Sequence, residues 1–310
     1  MILAVADRKK KTILILVLTI LYVNSVKAEK VSLKISYKSN SIEAGDITNW
    51  IDSFNTLWKD YQKISGGTLD GQFENLRFGP SFEFELRFPV VYGFSLNLGG
   101  GNPLRSKGNG TIIYNSNEGN QQETHAIFNE TQAVPLKIGL SFSYPFPLLK
   151  NLNFFAHIGR YIIIARYKSK ENYEGTFTSF GDEFKYIIQK DSTFRSENLG
   201  FYGNLGVEYS FLKFLSAVFE VEKTWAKVDG FKGPYYHRIL EHSPYYRDET
   251  IISGKASLYY YESNEWSLDK YYSVLTGSKK KPEGVYLRNV RQGIVDYSGF
   301  SLKVGIRFKF

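Results

Sequence analysis

The sequence predicts an all-β protein: one eight-stranded antiparallel up-and-down transmembrane β-barrel with long outer loops and one short amphipathic helix in the first loop. Three observations predict this fold. An export-type segment opens the chain, and no later stretch is apolar enough for a membrane-spanning helix. Eight stretches alternate apolar and polar residues, and the connections between them are short and long in turn.

The N-terminal segment has the three parts of a signal peptide. Arg8 to Lys11 are basic, Thr12 to Val23 are apolar, and Val26-Lys27-Ala28 fits a small-residue cleavage site. We therefore expect residues 1–28 to be a signal peptide cleaved after Ala28, and residues 29–310 to form a single β-barrel domain. The alternative is a membrane anchor, but about a dozen apolar residues are short for the roughly 20 that a spanning helix needs.

The composition excludes several kinds of site. The formal charge is +8, and the leader carries five Lys/Arg and one Asp, so about +4 remains in the mature chain. This surplus is too small to predict a nucleic-acid partner. The chain has no cysteine, which excludes disulfides and thiolate metal sites. It has no dinucleotide or phosphate-loop motif either, and we expect no cofactor and no metal.

Alternation with a period of two identifies the strands, because successive strand residues point to opposite faces of a sheet. At the C-terminus, Phe300, Leu302 and Val304 alternate with Ser301 and Lys303. The eight alternating stretches are 31–39, 76–88, 92–98, 134–144, 152–167, 199–211, 215–225 and 300–310. The fifth stretch is mixed, because Arg160 interrupts its apolar face, and we expect a β-bulge there.

The connections predict how these strands are joined. Short links occur near residue 89, at 146–150 and at 212–214. Long connections alternate with them, at 40–73, 101–130, 169–196 and 230–292. Tight turns on one side and long loops on the other are typical of outer-membrane barrels. A water-soluble sandwich would also show alternating strands, and it stays an alternative here.

The export segment, the eight alternating strands and the terminal aromatic residues together resemble the small bacterial outer-membrane barrels related to outer-membrane proteins A, X and W. The last strand, which ends in Phe308 and Phe310, looks like the signal that the barrel-assembly machinery recognises. The resemblance implies a location in the bacterial outer membrane, in contact with its lipid and lipopolysaccharide. It identifies an architecture and not one subfamily.

Charged residues occupy the inward positions of the predicted barrel. An eight-stranded barrel is just wide enough for its inward side chains to fill it. Since unpaired buried charges are costly, we expect an internal ion-pair network that plugs the lumen. The alternative is a narrow path for ions or small solutes lined by the same charges. The predicted network consists of Lys34, Glu83, Glu85, Glu208, Glu220, Glu222, Lys303 and Arg307.

The first loop contains a helical pattern of apolar residues at spacings of three and four. Asp46 is a plausible N-cap, and Gly66-Gly67 is expected to end the helix. The apolar face is aromatic, and we regard it as a candidate membrane-interface helix. Folding over the barrel mouth and packing on neighbouring loops are the alternatives. The candidate interface residues are Trp50, Ile51, Phe54, Trp58 and Tyr61.

The last connection is rich in tyrosine and contains two of the four histidines. Its tyrosines are suited to a binding surface, but Thr250 to Tyr261 also reads as a strand that extends the barrel wall, which we favour. His237 and His242 have no serine or carboxylate at a catalytic spacing, so an enzyme is not favoured.

The leading functional hypothesis is a plugged outer-membrane barrel that supports membrane integrity or binds surface partners through its outer loops. A narrow transport barrel for small or hydrophobic solutes is the second hypothesis. The third is a lipid-modifying enzyme or protease. A small hydrophobic ligand or a surface partner is compatible with the sequence, which identifies neither.

Overall fold

The computed structural model describes residues 30–42, 44–91, 93–117, 120–149, 151–179, 181–265 and 270–310. The predicted signal peptide and its cleavage site after Ala28 lie outside the described residues.

The described part of the chain is almost entirely β-structure with one helix. The first strands are β1 Ser32–Ile42, β2 Thr68–Phe73, β3 Arg77–Phe78, β4 Ser81–Val91, β5 Phe94–Gly101, β6 Leu104–Asn115, β7 Gln121–Pro145, β8 Leu152–Ser179 and β9 Asp182–Leu212. The remaining strands are β10 Leu215–Trp225, β11 Lys227–Val228, β12 Lys232–His242, β13 Arg247–Ser263, β14 Tyr272–Ser278, β15 Leu287–Gln292, β16 Val295–Asp296 and β17 Gly299–Lys309. The helix, α1, spans Asp46–Ser65 between β1 and β2.

A closed ring of antiparallel pairings forms the centre of the fold. It runs β1, β4, β5, β7, β8, β9, β10, β17 and back to β1. The first and last strands close it, with Leu33 opposite Phe308 and Ile35 opposite Ile306. The complete sheet has fifteen strands, which is more than the eight that we predicted. Closure removes every free strand edge from the ring.

The two faces of the ring have opposite chemistry. On β17, the side chains of Ser301, Lys303 and Arg307 are buried inside the ring. Leu302 and Val304 alternate with them and are 54% and 60% exposed on the outside. The neighbouring strands follow the same rule, so the exterior of the ring is apolar and its interior is polar. This is the reverse of a water-soluble protein, which buries its apolar side chains.

Strands β7, β8 and β9 continue beyond the ring and form a second region of the same sheet. Here β6 pairs with β7, and β2 and β3 pair with β6. On the other side β12 pairs with β9, and β13 pairs with β12, β14 and β15. We call this region the extension sheet; it comprises β2, β3, β6, β12 to β15 and the parts of β7, β8 and β9 that pair with them or with one another beyond the ring.

The extension sheet corrects the prediction of long loops. Most of residues 101–130, 169–196 and 230–292 lie in strands, and residues 40–73 contain the end of β1, α1 and β2. These strands carry many polar residues on both faces, and this polarity led us to interpret them as loops. The predicted strand at Thr250 to Tyr261 is confirmed, since it lies within β13. A separate two-stranded ladder joins β11 to β16.

The helix lies between the two edges of the extension sheet. Asn55 donates from its side-chain amide to the carbonyl of Phe73 in β2 at 3.0 Å and accepts from the Phe73 backbone N–H at 2.9 Å. On the opposite edge, the backbone N–H of Ser273 in β14 donates to the Ser53 hydroxyl at 2.9 Å. Polar side chains of α1 therefore satisfy backbone groups that unpaired strands would leave open. No helix among the described residues is long and apolar enough to cross a membrane.

The start of α1 differs from the prediction. The N-cap position is Gly45, and Asp46 is the first helical residue, without a capping hydrogen bond. Its carboxylate instead accepts from the Arg291 guanidinium at 2.6 and 2.7 Å and from the Ile294 backbone N–H at 2.7 Å. A tertiary contact therefore replaces the expected local cap. The predicted end of the helix is confirmed at Gly66, where φ is +70°.

The β-bulge expected at Arg160 is absent. Arg160 pairs with Ile138 on one side and with Phe201 on the other, without a change of register. Its side chain points outward, and its guanidinium carbon lies 4.0 Å from the centre of the Phe201 ring. This cation–π contact accommodates a charged side chain on a mostly apolar face without a distortion of the strand.

Candidate functional site

The interior of the ring contains a dense set of buried charges. Each charged side chain occupies an inward position of the alternating pattern, and each is less than 9% exposed. Six are cationic and five are anionic among the described residues of the ring. The cations are Lys34, Lys38, Arg87, Lys137, Lys303 and Arg307, and the anions are Glu83, Glu85, Glu208, Glu220 and Glu222.

Three lysines and two glutamates form the centre of this interior. Glu222 accepts from Lys38 at 2.9 Å, from Lys137 at 2.7 Å and from Lys303 at 2.5 Å. Glu83 accepts from the same three lysines at 3.2, 2.7 and 2.6 Å. The five residues come from five strands: β1, β4, β7, β10 and β17. We call this group the five-residue cluster. Charges of opposite sign alternate in it, which offsets much of the cost of their burial.

The cluster crosses the ring and does not only line its wall. Lys137 is on β7 and Glu222 is on β10, and two strands, β8 and β9, separate them along the shorter way around the ring. Their contact at 2.7 Å therefore joins side chains that meet across the interior. An Asn97–His157 contact of 3.2 Å similarly reaches from β5 to β8.

A second group of charges lies nearer the start of β1 and the end of β17. Lys34 donates to Glu85 at 3.0 Å and to Glu220 at 2.5 Å. Arg307 forms an ion pair with Glu208 and lies 3.5 Å from Glu85. All eight residues that we proposed for the network thus lie inside the ring and contact one another in these two groups.

The predicted network left out Lys38, Lys137, Arg87 and His157, all of which are buried in the same interior. The same apolar–polar alternation that identifies the strands also places these four side chains on the inward face. Lys137, for example, lies between the outward residues Leu136 and Ile138. The height of each inward side chain along the barrel depends on the register between strands and is not visible in one strand alone.

A second site lies outside the ring, between α1 and the inner face of the extension sheet. It is a cavity of about 420 Å³, within the range of small-molecule sites. Helix α1 forms one wall, and β7, β8, β9, β13 and β14 form the others. Ile64 lines the cavity and is 82% exposed, so the cavity opens near the end of the helix. Its aromatic lining includes Trp50, Phe54, Trp58, Tyr61, Tyr173 and Tyr261.

This arrangement corrects the interpretation of α1 as a membrane-interface helix. Trp50, Ile51 and Trp58 are 3%, 2% and 6% exposed, because they pack inside the extension sheet. Phe54 and Tyr61 are partly buried against the same core. The apolar face of the helix is covered by the protein itself and is not available to lipid. Of the three placements that the sequence left open, the structure has the helix packed on neighbouring segments.

Besides tyrosines, four ionisable side chains of the extension sheet line the cavity. Lys190 donates to Glu171 at 3.1 Å, and the two form an ion pair. Glu123 accepts from the Gln121 side-chain amide at 2.5 Å, and burial raises its pKa above the ordinary value. Burial lowers the pKa of His125 to about 4, so its imidazole is uncharged at neutral pH.

The two histidines of the last predicted loop lie on the β12–β13 ladder. His237 lies on β12, where its Nδ1 atom is 2.9 Å from the Tyr235 hydroxyl. His242 pairs with Arg247 across the β12–β13 ladder, and Asp248 pairs with Glu241. In the described ranges, no group of three His, Asp or Glu side chains is arranged to hold a metal ion.

Comparisons with known proteins find similarity of structure only. No family model matches the chain, and no curated protein matches it. The outer membrane protein OprG from Pseudomonas aeruginosa is 9% identical, with 92% of this chain and 97% of that chain covered and a TM-score of 0.40. CarO from Acinetobacter baumannii is 12% identical, with coverages of 80% and 99% and a TM-score of 0.29. The outer membrane protease OmpT from Escherichia coli is 10% identical, with coverages of 91% and 94% and a TM-score of 0.27.

TM-scores of 0.40 and less are too low for these likenesses to support a function. The resemblance to outer-membrane proteins A, X and W stays a prediction. The geometry of the chain itself describes a closed antiparallel β-barrel with an apolar exterior, a charged interior and an aromatic cavity in its extension sheet.

Proposed function

We propose that this chain spans a bacterial outer membrane as an eight-stranded barrel with a closed lumen, and that its extension sheet presents a binding site to the outside. The observation that carries the proposal is the inverted distribution of side chains, with charges inside the ring and apolar residues outside. Membrane integrity and surface binding are the roles that such a barrel fulfils without conducting solutes.

The apolar exterior supports a membrane location. Phe84, Leu140, Leu205, Phe219 and Leu302 come from five different ring strands, and each is 46–68% exposed. A band of this kind in water would drive aggregation, whereas in lipid it is the stable arrangement. A closed ring also leaves no unpaired backbone groups in the hydrocarbon, whereas an open sheet would expose such groups at its edges. The partners expected of such a surface are outer-membrane lipid and lipopolysaccharide.

The end of β17 suits recognition by the barrel-assembly machinery. Phe308 pairs with Leu33 and Leu215, and Phe310 is 69% exposed, with its backbone N–H bonded to the Val31 carbonyl. An exposed terminal aromatic residue at the ring closure is accessible before β1 and β17 join. This role is part of the proposal, as is export through a signal peptide.

The five-residue cluster supports the closed lumen. A permeating ion would need to separate Lys137 from Glu222 and Glu83, and each of these buried contacts is 2.7 Å long. Loss of one partner of a buried pair typically costs about 3–5 kcal/mol of stability, so each of these charges depends strongly on its contacts. An ion that entered the lumen would have to displace them.

Planar-bilayer recordings test the closed lumen. We expect the wild-type barrel to give no stepwise current. A variant with Lys137, Glu83 and Glu222 replaced by alanine should conduct, because it removes three of the side chains that cross the interior. Lys107→Ala is the matched control, since this lysine is 63% exposed and lies outside the ring. Regular stepwise currents from the wild type would contradict the closed lumen and favour a transport barrel.

A further inference from the structure

The cavity under α1 combines aromatic walls with Glu123, a carboxylate that has only neutral hydrogen-bond partners among the described residues. We infer that it binds a small organic cation, a protonated or quaternary amine with an apolar portion, and that Glu123 is its counter-ion. The inference deepens the proposed function and rests on it in one respect: the extension sheet must face the outside of the membrane, where such a molecule arrives from solution.

Aromatic rings line the cavity on the helix side and on the sheet side. The centroids of Trp58 and Tyr61 are 5.9 Å apart, and those of Trp58 and Phe54 are 6.4 Å apart. On the sheet side, the His125 and Tyr173 rings are 5.6 Å apart, and Phe54 reaches across to His125 at 4.8 Å. Ring faces attract cations electrostatically, and a cavity with several rings is the typical site for an alkylated ammonium group.

Glu123 differs from the other two carboxylates that line the cavity. Asp60 accepts from Lys270 at 2.8 Å and from Lys63 at 3.2 Å, and Glu171 accepts from Lys190 at 3.1 Å. Within the described ranges, no Lys, Arg or His nitrogen lies within 4.0 Å of the Glu123 carboxylate. Its hydrogen-bond partners are neutral: the Tyr173 hydroxyl and the Gln121 amide, which also lies 3.2 Å from the Tyr61 hydroxyl.

The charge of the cavity therefore favours a cationic ligand. Lys190 is the only cationic side chain that lines the cavity in the part of the chain that the structure describes, and Glu171 pairs with it. The neutral His125 ring adds no positive charge and leaves one carboxylate, Glu123, uncompensated. A negatively charged ligand would meet Glu123 without a free cation to bind.

The shape of the cavity selects an organic cation over an inorganic one. Apolar and aromatic side chains form most of the lining, and they cannot replace the water shell of a small metal ion. A volume of about 420 Å³ accommodates a substituted aromatic amine. The opening beside Ile64 gives such a ligand access from solvent.

Phenyltrimethylammonium is a suitable probe, because it combines a permanent charge with an aromatic ring. Its binding is measured by equilibrium dialysis against the full-length protein in nanodiscs of zwitterionic lipid, with empty nanodiscs as the blank. We expect saturable binding that choline displaces. We expect no displacement by the same concentration of 3,3-dimethylbutan-1-ol, which has the shape of choline without its charge.

The variant Glu123→Gln tests the counter-ion. It keeps the size of the side chain and removes its charge, so the affinity for phenyltrimethylammonium should fall by about tenfold. Asp70→Asn is the matched control, since it removes one negative charge from an exposed position of β2, outside the cavity lining. Its affinity should stay within twofold of the wild type. The heat-dependent electrophoretic mobility of each variant verifies that its barrel is folded.

Three results would overturn the inference: no saturable binding to the folded wild type, equal displacement by choline and its neutral analogue, or equal affinities of Glu123→Gln and the wild type. These outcomes are independent of the bilayer recordings. If the barrel conducts ions and still binds the organic cation, only the proposal of a closed lumen is wrong. If the barrel does not conduct and binds no organic cation, only this inference is wrong.

Discussion

Replacement of Glu222 by glutamine is the sharpest test of the barrel interior. Glu222 is 0% exposed and accepts from Lys38, Lys137 and Lys303 at 2.5 to 2.9 Å. The variant keeps the volume of the side chain and removes its charge. Three buried ammonium groups then depend mainly on Glu83, which lies within 3.2 Å of each of them.

The expected loss of stability follows from the burial of these charges. Removal of one partner from a buried ion pair costs about 3–5 kcal/mol, because the remaining charge stays buried without compensation. We therefore expect Glu222→Gln to lower the free energy of unfolding by this amount. The double variant that combines Glu222→Gln with Lys137→Met should recover part of the lost stability, since Lys137→Met removes one of the uncompensated charges.

Reversible unfolding in urea, with the protein folded in lipid vesicles, measures the difference. Glu174→Gln is the control: its ion pair with Lys185 is 36–40% exposed, and surface pairs contribute about 0–1 kcal/mol. A change below about 1 kcal/mol for Glu222→Gln would refute the reasoning, because it would mean that the five-residue cluster is solvated. The absence of any recovery with Lys137→Met would refute the coupling.

Two further predictions concern the extension sheet. Phenyltrimethylammonium should bind with full affinity above the pKa of Glu123, and the affinity should fall as the pH drops through this pKa. Because burial raises the pKa, the fall should begin above the ordinary pKa of a glutamate, near 4.3. Equilibrium dialysis at a series of pH values measures it. Tyr61 and Tyr173 beside it have raised pKa values and stay neutral, and burial lowers the pKa of His125 in the same cavity to about 4, so this imidazole becomes charged only at the acidic end of the series. Asn55→Ala removes two hydrogen bonds to Phe73 and should cost about 1–3 kcal/mol of local stability, measured as faster amide hydrogen exchange in β2.

The ring strands are predictable from sequence because one local rule determines them. In β17, outward Leu302 and Val304 alternate with inward Ser301 and Lys303, and a single residue of displacement would place every apolar side chain inside. The same rule identifies the inward charges. It does not identify which of them touch, since the contact of Lys137 with Glu222 depends on strands that are far apart in sequence.

The extension sheet and its cavity cannot be predicted from this alternation, for a physical reason. The first part of β9, from Asp182 to Ser196, has partly buried residues on both faces. The apolar alternation that lipid imposes is therefore absent. The cavity brings together Trp58, Glu123 and Lys190 from three separate connections. The pairing of β7, β8 and β9 places Glu123 near Lys190, and the packing of α1 adds Trp58.

Spin-label accessibility along β17 tests the central claim most directly. The chain has no native cysteine, so single cysteines at positions 300 to 307 can be labelled without other changes. In lipid vesicles, labels at Phe300, Leu302, Val304 and Ile306 should collide freely with oxygen, which dissolves in the hydrocarbon. Labels at Ser301, Lys303 and Arg307 should be protected from it. Uniform accessibility, or oxygen contact at the second set and not at the first, would contradict a lipid-facing apolar exterior.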